Sequence, residues 1–156
     1  MMAFVSFYRG PLMLNVSADI AAVFKKALEM INNSHSPYSQ LKVVAALKLK
    51  KPKDTVVFGV NVENASFGAT FCAERSAIVA AQSQLGGPLE AQYLMVLSSR
   101  EGEPIPPCGL CLQVIQEFFP PELPIYLGGF NGLMQSWFFK DLLPRAFAAD
   151  QLPNNS

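Results

Sequence analysis

Three cysteines, Cys72, Cys108 and Cys111, are the whole thiol complement of this chain, and their settings "FCAER" (71–75) and "PPCGLC" (106–111) narrow what it can fold into. Cys108 and Cys111 stand three residues apart at a predicted helix start, which puts both sulfurs on one face of the first turn. Unsatisfied N–H groups and the helix dipole favour an anionic sulfur there, and with it metal ligation. Adding Cys72 gives three thiolates, for which zinc is the natural occupant. A structural zinc usually has four protein ligands, whereas a catalytic one has three and a water. Here the cysteines run out at three. The sole histidine, His35, lies in the Pro-containing loop "SHSPYS" and reads as a surface residue. The competing reading is a Cys108–Cys111 disulfide with Cys72 buried as a small hydrophobe. An odd, low cysteine count suits a reducing, cytoplasmic compartment, where disulfides are disfavoured.

Glu74 and Arg75 follow Cys72 at once. On a regular helix residues two apart diverge by about 200°, so Cys72 and Glu74 reach one pocket only where the helix is just beginning. Glu74 is then either a fourth ligand, which would close the site, or a proton carrier beside the metal. Three thiolates around Zn²⁺ already leave one net negative charge, which argues against a fourth anion. Arg75 falls on the side of the helix that carries Cys72. A cation about 4 Å from a thiolate is worth up to ~4 kcal/mol at an effective dielectric near 20. The alternative is a surface arginine.

The rest of the chain predicts an α/β fold, a three-layer α-β-α sandwich around a mixed five-stranded sheet. Residues 15–34 read as an amphipathic helix, with Ser17 as a cap and Ile20, Val23, Phe24, Ala27, Leu28 and Ile31 at helical spacing. Strand-like runs cover 41–50 and 54–64, which together resemble a hairpin across "KPKD", then 93–99, 123–129 and 133–139. Helices are predicted over 72–85 and from Cys108 onward, with "KDLLPRAF" as a terminal turn or short helix. At 156 residues and 51% hydrophobic content the chain suffices for one domain over 1–156, with 1–15 an accessory arm too short and interrupted to span a bilayer. Twelve basic and twelve acidic side chains cancel, leaving no positive field for a phosphate backbone. Nucleic acid and membrane are therefore not expected partners, and small, weakly charged ones are.

C-x-E followed by P-C-x-x-C, in a tract running from "SPYS" to "LLPRAF", resembles the small cytidine deaminases of pyrimidine salvage. The resemblance implies zinc on Cys72, Cys108 and Cys111, supplying a nucleophile from water for carbon 4 of the cytosine ring. It implies that Glu74 takes the proton, delivers it to ring nitrogen 3 and helps ammonia depart. It makes "NVENASFG" (61–68) the ribose-binding stretch through Asn61 and Glu63, which alternate along a strand and so share a side. Apart from the resemblance, that stretch reads as a capped strand end with a solvated glutamate. The backbone of Ala73 is implied to contact the base amide. Phe147 is implied to reach a neighbouring subunit's pocket within a homotetramer. Against the family's usual Phe, Gly, Tyr and Arg this chain has Leu41, Val44, Phe67 and Leu112. Leu41 thins the wall beside the base, and Phe67 lacks a hydroxyl for the ribose. Cytidine and deoxycytidine are the expected substrates. A modified cytosine nucleoside such as blasticidin S is the second reading, followed by a polynucleotide editor and a non-catalytic zinc fold.

Overall fold

The computed structural model describes residues 14–52 and 54–152. The expected accessory arm therefore lies almost wholly outside the described residues. Helix α1 (Ala18–Met30) is followed by strands β1 (Val43–Lys51) and β2 (Val56–Val60), then helix α2 (Ala73–Leu85) and strand β3 (Glu90–Ser98). Helix α3 (Gly109–Phe118), strands β4 (Pro124–Gly129) and β5 (Gly132–Phe138), and the short helix α4 (Phe139–Leu142) complete the order. The sheet runs β2-β1-β3-β4-β5. Only β3 and β4 pair in parallel, the other neighbours being antiparallel, so the sheet is mixed as expected.

Period-two alternation divides the two cores. Ala45, Leu47 and Leu49 of β1, with Leu94 and Val96 of β3, bury against Ala77, Ile78 and Ala81 of α2 and Ile115 of α3. Their neighbours Val44, Ala46, Tyr93, Met95 and Leu97 turn to the opposite face and meet Val23, Ala27 and Ile31 of the α1 segment. Helices thus cover both faces. Ser17 caps α1 as expected, its hydroxyl accepting from the Ile20 amide at 3.4 Å. The helix stops at Met30, short of the expected 34, and residues 31–33 tighten into a 3₁₀ turn. Asn32 and Asn33 disfavour a longer helix because their side chains compete for backbone groups.

Strand β2 ends at Val60 and not near residue 64. The Asn61 side chain ends it: its Oδ1 accepts from the Val43 amide at 2.8 Å while its Nδ2 donates to the Leu41 carbonyl at 2.8 Å. A side chain has taken groups that a longer ladder would have used. Helix α2 lies directly on β2 at Gly59, where a Cβ would come within 2.3 Å of the Ala77 amide nitrogen and 2.5 Å of the Ala73 carbonyl. Any side chain at 59 must push α2 away, so this glycine sets the height of the helix whose first turn carries Glu74.

Candidate metal centre

The two helices on one face of the sheet begin at the same place. Cys72 is the N-cap of α2, Cys108 is the N-cap of α3, and Cys111 lies in the first turn of α3. Cys72 Sγ is 3.8 Å from Cys108 Sγ, Cys108 Sγ is 3.5 Å from Cys111 Sγ, and all three lie within 4.8 Å of one another. Tetrahedral thiolates at a Zn–S length of about 2.3 Å stand ~3.8 Å apart, so the trio has the spacing a single zinc needs. A disulfide requires about 2.05 Å, and all three cysteines are free, which removes the Cys108–Cys111 disulfide reading. Among the described residues no histidine or carboxylate joins this group. His35 instead uses its backbone, donating to the Asn61 carbonyl at 3.1 Å and accepting from the Glu63 amide at 2.8 Å.

The electrostatics also call for a cation. The Cys72 thiol is lowered to about 5, chiefly by hydrogen bonding from Cys111, against the opposing effect of burial, with Arg75 and Cys108 adding to the lowering. The Cys111 thiol is pushed up, first by the Cys72 sulfur and then by burial. A bound dication favours the ionised form of each sulfur that ligates it. Arg75 supplies a nearby positive group: its Nη2 donates to the Thr70 carbonyl at 2.9 Å and lies 3.8 Å from Cys72 Sγ.

A cavity of about 290 Å³ opens beside the sulfurs, lined by Cys72, Cys108, Ala73 and Glu74 together with Leu41, Asn61 and Glu63. Glu74 is 4% exposed, and burial pushes its carboxyl above the ordinary range, with the Cys72 charge adding to the rise. Glu63 is held below the ordinary range, first by the Ser39 hydroxyl and further by the Tyr38 and Ser39 amides, which donate to Oε2 at 2.9 and 3.2 Å. Asn61 is more heavily committed than the sequence suggests. Its oxygen accepts from both Ser34 and Val43, so one amide hydrogen remains for a ligand.

Two expected contacts do not reach this cavity within one chain. Phe67 sits in a 3₁₀ turn, 76% exposed, with its ring edge-on to Tyr38 at 6.0 Å. Phe147 is exposed, its carbonyl accepting from Gln113 Nε2 at 2.9 Å, and it lines a different surface recess. Val44 and Leu112 are buried, one in each core, and act as packing residues. Sequence reasoning missed Ser39, Val43, Thr70, Val96, Ile105 and Pro106 in the wall. Ile105 and Pro106 were within reach of inference because they closely precede Cys108, whereas nothing in a buried strand singles out Val96. A larger cavity of about 390 Å³ lies on the other side of Ile105 and Pro106, and no sulfur lines it.

Residues 17–127 match the cytidine and deoxycytidylate deaminase zinc-binding region. A cytidine deaminase of Halalkalibacterium halodurans is 37% identical over 134 residues, covering 86% of this chain and 98% of its own. One from Sporosarcina psychrophila is 38% identical over 133 residues, covering 85% and 92%. Among solved structures, cytidine deaminase from Burkholderia pseudomallei superposes with a TM-score of 0.75 at 36% identity, covering 85% of this chain and all of that one. The Mycobacterium tuberculosis enzyme gives 0.67 at 33% identity, covering 85% and 99%. With the family region spanning most of its length, and with both helix starts delivering thiolates to one point, this chain belongs to the cytidine deaminase family.

Proposed function

We propose that the protein is a zinc-dependent hydrolase that deaminates cytidine and deoxycytidine to the uracil nucleosides with release of ammonia, a step of pyrimidine salvage. The observation that carries this reading is the buried Glu74 in the lining of the same cavity that Cys72 and Cys108 line. Cys72, Cys108 and Cys111 would hold zinc, which when bound would supply a nucleophile from water at neutral pH. Glu74 accepts a proton from that water, passes it to ring nitrogen 3 and then assists the departing amine. A carboxyl raised by burial is suited to both directions of transfer, because its affinity for a proton lies nearer to neutral pH. Asn61 offers its remaining amide hydrogen, and Glu63 its carboxylate, to the sugar hydroxyl. The Ala73 backbone faces the base amide, and Arg75 offsets the excess negative charge of three thiolates.

An ammonia-release assay over free nucleosides, single-stranded DNA and RNA, and blasticidin S tests this reading. Cytidine and deoxycytidine are expected to lead, with no turnover of the polynucleotides. A second reading, a modified cytosine nucleoside, is favoured by Leu41, which lines the cavity where the family's usual aromatic would stand. Greater turnover of blasticidin S than of cytidine would select it. Zinc binding with no turnover on any compound would leave a non-catalytic zinc fold.

The protein is further proposed to be one cytoplasmic domain that works as a homotetramer with shared active sites, Phe67 and Phe147 of one copy serving the cavity of another. Support comes from their exposure, together with that of Tyr38, Phe71 and Leu110 near the metal centre. Among the described residues no helix is long and apolar enough to cross a membrane. Native mass spectrometry should find four chains. Phe147→Ala should lower kcat/KM for cytidine while leaving one zinc per chain, and a fully active monomer would overturn the shared site.

A further inference from the structure

We propose that Phe71 is a positioning residue for the metal centre: its ring, together with the Thr70 carbonyl, aims Arg75 at the Cys72 sulfur. This rests on the zinc site proposed above. Arg75 Cζ lies 4.8 Å from the centroid of the Phe71 ring, within the range of a cation–π contact. The same guanidinium donates to the Thr70 carbonyl and points Nη2 at Cys72 Sγ, so ring, carbonyl and sulfur fix it from three sides. Its buried Nε has no acceptor. Hydrogen bonding therefore leaves the group incompletely held, and the flat face of the ring supplies the missing restraint. Among the described residues Arg75 makes no ion pair with a carboxylate, so its charge is directed to the sulfurs.

The position of the ring is itself set by the backbone. The Phe71 amide donates to the Val62 carbonyl, and the Val62 amide donates to the Phe71 carbonyl, both at 2.9 Å. This bridge ties the residue before Cys72 to the segment bearing Asn61 and Glu63. Phe71 is 41% exposed and belongs to neither core cluster, so core packing does not account for an aromatic side chain here. A flexible arginine without that platform samples more orientations, and its mean distance from the thiolate grows.

The test is zinc affinity, measured by competition with a chromophoric chelator on zinc-loaded full-length protein, for wild type, Phe71→Leu, Phe71→Tyr, Arg75→Gln and the Phe71→Leu/Arg75→Gln pair. Arg75→Gln is expected to weaken zinc retention about 10- to 100-fold, the range for groups supporting metal ligands. Phe71→Leu is expected to weaken it about three- to thirtyfold, and Phe71→Tyr, which keeps the ring face, should restore it. In the Arg75→Gln background Phe71→Leu should have no further effect, because the arginine through which it acts is gone. An unchanged affinity in Phe71→Leu would overturn the proposal. So would an equal loss with and without Arg75, since the ring would then act through the Val62 bridge or general stability. A wild-type protein that retains no zinc would overturn the metal site as well.

Discussion

Replacing Glu74 with Gln should lower turnover of cytidine by ~10² to 10⁴ while leaving one zinc per chain, the size of effect expected when a positioned proton carrier is removed. Glutamine keeps the length and shape of the side chain and one acceptor oxygen, but it cannot take up and return a proton. The metal should be indifferent to the change, because the group of potential ligands comprises the three sulfurs and not the Glu74 carboxylate. Fold stability should not fall either. Burial disfavours the charged carboxyl at this position, and the nearby Cys72 charge acts in the same direction. A neutral amide removes that penalty, so the melting temperature of the chelator-stripped variant should equal or exceed that of chelator-stripped wild type. Steady-state kinetics with zinc analysis, and thermal unfolding after chelator stripping, check all three statements. Activity within tenfold of wild type would remove Glu74 from the proton path. Loss of zinc together with activity would make it a ligand, the alternative that net charge argues against.

The parts of this site that could be read from sequence are those fixed by local geometry. Cys108 and Cys111 belong to one turn, and Cys72 with Glu74 requires a helix start, so covalent spacing almost dictates the outcome. The mixed five-stranded sheet was legible for a similar reason, since short β-rich apolar runs bounded by turn residues mark strands, and the central ones are buried on both faces. What sequence could not convey is competition for hydrogen bonds. Asn61 reads from sequence as a ribose contact or as the cap of a strand end, and in the fold it does end that strand, but sequence does not show that it spends three of its four hydrogen-bonding positions on Ser34, Val43 and Leu41. Glu63 looks solvated and is clasped by Tyr38 and Ser39, residues more than twenty positions earlier. The outward placement of Phe67 depends on the 3₁₀ turn at 67–69, which no short-range pattern announces.

Removing one sulfur should have the converse effect to the Glu74 change, and Cys108 is the best choice because its role separates cleanly from packing. Cys111 is fully buried among core residues, so its loss would combine a cavity with a lost ligand. Cys108 is exposed, and although it occupies the N-cap of α3 its side chain accepts no capping hydrogen bond. Cys108→Ala therefore leaves core and helix contacts nearly intact, and what remains to lose is the metal. Thiolate zinc sites bind with ~10–16 kcal/mol in all, so one ligand in three or four corresponds to an affinity loss on the order of 10²- to 10⁴-fold. The variant should emerge from chelator dialysis with little zinc under conditions where wild type keeps one per chain, and its activity should disappear with it. Because binding stabilises only the folded state, its melting temperature should match that of chelator-stripped wild type and not that of the loaded protein. That match isolates the metal as the cause: a variant falling well below the stripped wild type would show a structural role for Cys108 beyond ligation. Full zinc occupancy in Cys108→Ala would show that the three sulfurs, though spaced for one ion, do not hold it together.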